Sequence, residues 1–326
     1  MKEARVNGNT HATLDPQVAE LLAKLHAAGT LTLGTTLSAD EKIAAVRTRM
    51  TSIAQLGFPP EPIGMREAFI PGAPGKLMTR VYIPQRELAL PAPALLYCHG
   101  GGFVAGSLDN YDTALAALAN RAACLVVSVA YRLAPEHPYP AANEDVWAAL
   151  QWLSRTTEIN VDPRRIAVGG DSAGGLLAAW VAQKARTEGL PLSMQVLLYP
   201  NLDTTVSSKS WQELGTGTYG LRRDDMLDWY DAYLPPGIDR TDPRVSPAYA
   251  TDLAGLAPAL IITAEFDPLR DEGNAYAARL RDAGVPIDHY CWPGMIHGLL
   301  LVAGVLDAGT VLVQRVSDGL RSAFHR

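Results

Sequence analysis

Cysteine is scarce in this sequence: its 326 residues hold three, Cys98, Cys124 and Cys291. An odd number at wide spacing excludes a disulfide framework and the ligand spacing of a zinc site. Cys98 and Cys124 sit in apolar, strand-like runs and read as buried free thiols, which suits a reducing compartment. Charge is also sparse, at 19% of residues, with 28 basic against 34 acidic side chains and a net charge of −6. Without a basic surplus there is no electrostatic reason to expect nucleic acid or an anionic membrane as a partner. Charge runs such as Arg222-Arg223-Asp224-Asp225 read as solvated helix ends. Long apolar runs are missing as well. The stretch from Leu299 to Leu306 is far too short to cross a bilayer, and residues 1–17 lack the apolar core of a secretory signal. A cytoplasmic protein with no stable membrane association is therefore the expectation. No internal repeat or low-complexity tract interrupts the chain.

What is present is apolar material for a large core, 48% of the residues. Up to about Gly57 the signals are helical. Asp15 followed by Pro16 is a cap with proline at the first helical position, ahead of Val18, Leu21, Leu22 and Leu25. Ser38 with Glu41 three residues later is a capping box that opens a second helix, reaching Leu56. Two strands, Met65–Ile70 and Leu77–Ile83, flank the turn-rich run Pro71-Gly72-Ala73-Pro74-Gly75.

Beyond that hairpin, strands are expected at Ala94–Cys98, Cys124–Ala130, Arg165–Val168, Met194–Tyr199, Ala259–Ala264 and Ile287–Cys291. Helices are expected at Tyr111–Ala122, Pro140–Arg155, Gly175–Lys184, Glu272–Ala283 and Ala308–Phe324. Such alternation builds a mostly parallel central sheet with helices on both faces. Between Asp203 and about Pro236 the alternation stops, and two aromatic-rich helical stretches occupy the gap. Placed after the carboxyl end of a strand, where such sheets bind ligands, this segment reads as a cap rather than surface decoration. The expected organisation is a helical cap part at 1–57, a catalytic domain at 58–203 and 237–326, and a cap insertion at 204–236.

The strongest local signal is Gly170-Asp171-Ser172-Ala173-Gly174, a G-x-S-x-G pattern between a predicted strand and a predicted helix. A serine on so tight a turn projects its hydroxyl, and the flanking glycines avoid the clash any Cβ would make. The plainer alternative is a glycine turn whose serine only caps the helix. A second signal, His99-Gly100-Gly101-Gly102-Phe103, leaves the strand Leu95-Leu96-Tyr97. Consecutive glycines let backbone N–H groups approach a substrate, so Gly101, Gly102 and Ala173 are the expected donors to a tetrahedral oxyanion. A phosphate loop is the competing reading, but no Walker lysine follows and the dinucleotide glycine pattern does not fit.

A serine nucleophile needs a histidine base oriented by a carboxylate. Among the seven histidines, His11, His26 and His325 lie in terminal helical parts, His137 in a proline-rich loop and His289 inside a strand. His99 reads as a residue that fixes its own glycine loop. His297 lies in a loop after a strand, where it can project over the sheet edge. Asp267 ends a strand before Pro268, which holds it extended. Its rival Asp271 suits the start of the following helix, near the positive end of the dipole. The order Ser172, Asp267, His297 is that of the α/β-hydrolase fold.

Taken together, HGGGF at 99–103, YRLAPEHPYPAA at 131–142, GDSAGG at 170–175, DPLRDEG at 267–273 and HGL at 297–299 resemble the hormone-sensitive-lipase-like esterases, bacterial lipase family IV. The resemblance spans about Ala94 to Leu299. It implies an α/β-hydrolase fold, a triad of Ser172, Asp267 and His297, and a cap made from the N-terminus plus an insertion after the sixth strand. It also implies hydrolysis of short- to medium-chain carboxylic esters through an acyl-enzyme, and a homodimer joined at a sheet edge is compatible with it. Many members carry phenylalanine where this chain has Leu299. Glu136 in the YRLAPEHPYP block reads as a buried structural carboxylate, and Trp211, Tyr219, Trp229 and Tyr230 as cap packing or pocket wall. The expected partner is a small-molecule ester, with no metal and no organic cofactor. Amide or carbamate hydrolysis on the same groups, a non-catalytic ligand receptor and an inert scaffold are the alternatives, and the presence of His297 counts against the last two.

Overall fold

The structure is a computed structural model that describes residues 13–31, 37–73 and 75–325. The expectations for His11, for Pro74 and for the first residues of the chain lie outside these. Helices α1 (Pro16–Ala27) and α2 (Ala39–Ala54) begin where their caps predict. The Asp15 carboxylate accepts from Gln17 N at 2.8 Å, and Ser38 and Glu41 cap each other's backbone N–H.

There follow β1 (Gly64–Gly72), β2 (Gly75–Ile83), β3 (Ala92–Cys98), α3 (Leu108–Ala122), β4 (Leu125–Val129), α4 (Ala141–Leu153), β5 (Val161–Asp171), α5 (Ala173–Thr187) and β6 (Met194–Leu198). Helices α6 (Lys209–Leu214) and α7 (Arg223–Tyr233) come next, then β7 (Ala259–Phe266), α8 (Arg270–Asp282), β8 (Ile287–Ile296) and α9 (Asp307–Phe324). The strands form an 8-stranded sheet in the order β1-β2-β4-β3-β5-β6-β7-β8. Only β2 runs against its neighbours; every other pairing is parallel. This is the α/β-hydrolase fold. Helices α3 and α9 pack together on one face, and α4 and α5 on the other, which α8 shares with α5 through Ala178, Leu197, Ile261 and Tyr276.

The strand order fixes where a site can form. From β3 the chain steps outward to β4, then returns across β3 to β5. The carboxyl ends of β3 and β5 therefore lie side by side at the point where the winding reverses, the crevice in which open α/β sheets bind ligands. Cys98 pairs with Gly170 there, so the glycine loop after β3 and Ser172 after β5 leave the sheet as neighbours.

Three expectations are corrected. Strand β8 continues to Ile296 instead of ending at Cys291. Pro293 has no N–H for the ladder, and the register shifts between Ala264 and Phe266 to accommodate the irregularity. Glu136 is exposed, not buried. It grips the Arg47 guanidinium through two hydrogen bonds of 2.7 Å, tying α2 to the block after β4, and Arg47 itself caps the carbonyls of Val104 and Ala134. Asp225 is buried rather than solvated; it lies 3.7 Å from Lys42, whose Nζ reaches Asp228 at 2.5 Å. This one cation, shared by two carboxylates, binds α7 to α2.

Candidate active site

Ser172 occupies the single residue between β5 and α5, with φ 54° and ψ −122°. That left-handed conformation costs a non-glycine residue about 1–3 kcal/mol. Its flanks explain why it is tolerated here. A Cβ on Gly170 would stand 2.3 Å from the Gly174 carbonyl oxygen, and one on Gly174 would stand 2.0 Å from that of Cys98. With hydrogen at both positions, strand and helix close on each other, and the serine is forced outward at the positive end of the α5 dipole.

Asp267 and His297 each follow the last paired residues of their strands, Phe266 and Ile296, so register alone sets them side by side. His297 Nδ1–H donates to Asp267 Oδ2 at 2.8 Å, and Ser172 Oγ–H donates to His297 Nε2 at 2.9 Å. The tautomer follows from the partners, since an ionised carboxylate only accepts. Asp267 is fully buried, and its Oδ1 accepts from Leu269 N at 2.9 Å. Burial by itself pulls the His297 pKa down. The charge and hydrogen bond of Asp267, with the charge of Asp171, outweigh that and leave it above its ordinary value. Tyr199 steadies the far side, its ring edge-on to the imidazole at 5.0 Å and its hydroxyl accepting from Leu300 N.

The glycine loop lies over the same crevice. Gly101 and Gly102 have φ 128° and 62°, and a Cβ on Gly102 would meet the Trp229 ring at 2.5 Å. The N–H groups of Gly101, Gly102 and Ala173 donate to no protein acceptor among the described residues, leaving three open donors beside Ser172. His99 turns away into the protein. Its Nδ1–H donates to the Gly100 carbonyl at 2.8 Å, Tyr131 stacks on its ring at 4.3 Å, and burial lowers its pKa to about 4. The rival carboxylate Asp271 is engaged elsewhere, accepting from Ser210 N and Arg270 Nε at 2.9 and 2.8 Å.

A cavity of about 140 Å³ opens over Ser172 and His297. Leu21, Leu25, Val46 and Met50 from α1 and α2 line it, with Met226 and Trp229 from α7. Of the aromatics singled out in the sequence, Tyr219 and Trp229 line this cavity, whereas Trp211 and Tyr230 are buried in packing.

The sequence profile of the α/β-hydrolase fold family matches residues 95–301. The carboxylic ester hydrolase LipN of Mycobacterium tuberculosis is 41% identical, covering 90% of this chain and 78% of that protein. The arylesterase of Saccharolobus solfataricus is 32% identical over 88% of this chain and 92% of its own. Among solved structures, an esterase from the archaeon Pyrobaculum calidifontis superposes with a TM-score of 0.85 at 36% identity, covering 95% of this chain and 98% of that one. An ester hydrolase from the metagenome of Lake Arreo, complexed with a bipyridine phosphonate derivative, gives 0.90 at 36% identity, covering 96% and 100%.

The chain belongs to the α/β-hydrolase family. Its motifs and relatives put it in the hormone-sensitive-lipase-like branch.

Sequence reasoning passed over one buried group in this hydrolase. Asp171, 2% exposed, accepts from Tyr97, Tyr111 and the Gly100 N–H, each at 2.9 Å. It thus bolts the glycine loop to the turn that carries Ser172. Burial lifts its pKa to about 6, against the lowering pull of its hydrogen-bond donors and of His297. The signal was a carboxylate at the end of an otherwise apolar strand. Among the described residues no group of His, Cys, Asp or Glu gathers in a way that could hold a metal ion, and no helix is long and apolar enough to cross a membrane.

Proposed function

We propose that this hydrolase cleaves carboxylic esters by two-step acyl transfer, with Ser172 as nucleophile, His297 as general base and acid, and Asp267 as the group that orients the imidazole. The observation that carries the reading is the unbroken relay from Ser172 Oγ to His297 Nε2 at 2.9 Å and from His297 Nδ1 to Asp267 at 2.8 Å. As Oγ bonds to the carbonyl carbon, its proton passes to Nε2. The carbonyl oxygen becomes an oxyanion that accepts from the N–H groups of Gly101, Gly102 and Ala173. Collapse breaks the bond to the alcohol, which departs with the proton from Nε2. A water then attacks the acyl-serine, giving one proton to Nε2, and the second collapse releases the acid and returns that proton to Oγ.

The apolar lining and the volume of about 140 Å³ suit short- to medium-chain acyl groups. In this reading, residues 1–57 and 204–236 are the cap, and 58–203 with 237–326 the catalytic domain. Its natural partner is a small ester molecule. A cytoplasmic location and a homodimer complete the proposal. All three thiols are free, as a reducing compartment keeps them, and β8 is an edge strand of the sheet.

Hydrolysis of p-nitrophenyl esters from acetate to laurate, with Ser172→Ala beside the wild type, tests the function. Activity on the shorter chains that vanishes in Ser172→Ala supports it. Activity on a matched anilide but not the ester would favour an amidase, and no cleavage of any ester would favour a receptor.

A further inference from the structure

Arg49 stands apart from the other groups that line the catalytic cavity. The walls are apolar side chains from α1, α2 and α7, and apart from Asp171 and His297, Arg49 is the one charged side chain lining the cavity among the described residues. It lies on the same face of α2 as Val46, Met50 and Ile53, which also line it. Its neighbour Arg47, two positions earlier, is paired with Glu136 and donates to the carbonyls of Val104 and Ala134 as well. Arg49 has no such partner. Its one hydrogen bond among the described residues runs from Nη1 to the Leu31 carbonyl at 3.0 Å, and no carboxylate there pairs with it. Burial holds its guanidinium below the ordinary pKa. The carboxylate whose charge acts on it, Asp225, lies 3.7 Å from Lys42 Nζ.

A partly buried guanidinium without an anion is costly, because desolvation is not offset by a paired charge. Only Nη1 is engaged among the described residues, and the side chain lines the same cavity as Ser172. The planar fork of arginine matches a carboxylate with two parallel hydrogen bonds. We propose that the ester this hydrolase prefers carries a free carboxylate on the chain that enters the cap, and that Arg49 is the specificity residue that receives it. The inference rests on the esterase reading above and names its substrate class: half-esters of dicarboxylic acids, or esters of hydroxy acids, rather than simple alkyl esters.

The test compares p-nitrophenyl half-esters of succinic, glutaric and adipic acids with p-nitrophenyl esters of equal chain length ending in methyl. A second pair places the carboxylate on the alcohol and is followed by acid release. Wild type, Arg49→Met and Arg49→Lys are assayed, with thermal melts as a check on folding. Charge-assisted hydrogen bonds are each worth about 1.5–3 kcal/mol, so Arg49→Met should lower the kcat/KM ratio of charged to neutral ester roughly 10- to 100-fold, chiefly through KM. Arg49→Lys, which keeps the charge but loses the fork, should fall between. Added salt should raise KM for the charged ester only. If the wild type cleaves the methyl-ended esters as well as both kinds of acid-bearing ester, or if Arg49→Met lowers both members of each pair equally, Arg49 merely holds the Leu31 carbonyl and the inference is wrong. Cleavage of neither kind of ester by the wild type would instead defeat the esterase reading beneath it, and the inference with it.

Discussion

Replacing Asp171 by asparagine isolates one buried charge at the centre of the site. In the folded protein its carboxyl is lifted from 3.8 to about 6, which disfavours the ionised form by roughly 3 kcal/mol. A raised carboxyl pKa means that the native state holds a proton between about pH 6 and pH 4 that the unfolded chain has already lost. Unfolding free energy therefore falls as pH rises through that window, the reverse of a salt-bridged aspartate. Asparagine has no proton to exchange. Going from about pH 8 to about pH 4, the wild type should gain up to roughly 3 kcal/mol of stability over Asp171→Asn. Denaturant titrations of both proteins at several pH values read this difference, since groups whose pKa the substitution leaves unchanged cancel and only His297, whose pKa the Asp171 charge helps to raise, adds a contribution of its own. Activity gives an independent reading. The Asp171 charge helps to raise the His297 pKa, so the acid limb of kcat/KM should move to lower pH in the variant. A stability difference that is flat with pH, or an acid limb that moves upward, would refute the reasoning about Asp171.

Further substitutions separate the remaining roles. Asp267→Asn should lower kcat by about four orders of magnitude, because it permits the wrong histidine tautomer, whereas Asp271→Asn should leave kcat within a few-fold; steady-state rates on one ester decide. Gly102→Ala places a Cβ 2.5 Å from the Trp229 ring at φ 62°; the displaced loop should cost about 10²–10³ in kcat, as expected for losing one oxyanion donor. Glu136→Gln removes a carboxylate that is half exposed, so denaturant titration should find less than about 1 kcal/mol lost.

Much of the framework is legible in local sequence because its causes are local. Asp15 and Ser38 announce helix starts through side chains that reach only two or three residues, and the alternation of strands with amphipathic helices dictates a parallel sheet. The features that escaped depend on distant partners. Glu136 lies in a proline-rich block whose burial cannot be judged without Arg47, which arrives from α2. Asp225 looks solvated within its run of charges until Lys42 packs over it. The last residues of β8 are obscured by Pro293 and Gly294, which read as loop, although Gly294 N–H is held by Glu265 Oε2 at 2.8 Å. At the site, Ser172, Asp267 and His297 stand out because each ends a strand in a fixed order. Arg49 does not, because on a helix it reads as an ordinary flanking charge until α7 closes the cavity around it.

The most direct test of the central claim, that ester cleavage proceeds on Ser172, is peptide mapping by mass spectrometry after treatment with diethyl p-nitrophenyl phosphate. The expected result is a single diethylphosphoryl adduct per chain, on Ser172, formed in step with the loss of esterase activity and absent from His297→Ala. Full esterase activity with Ser172 unlabelled, or inactivation that maps to another residue, would contradict it.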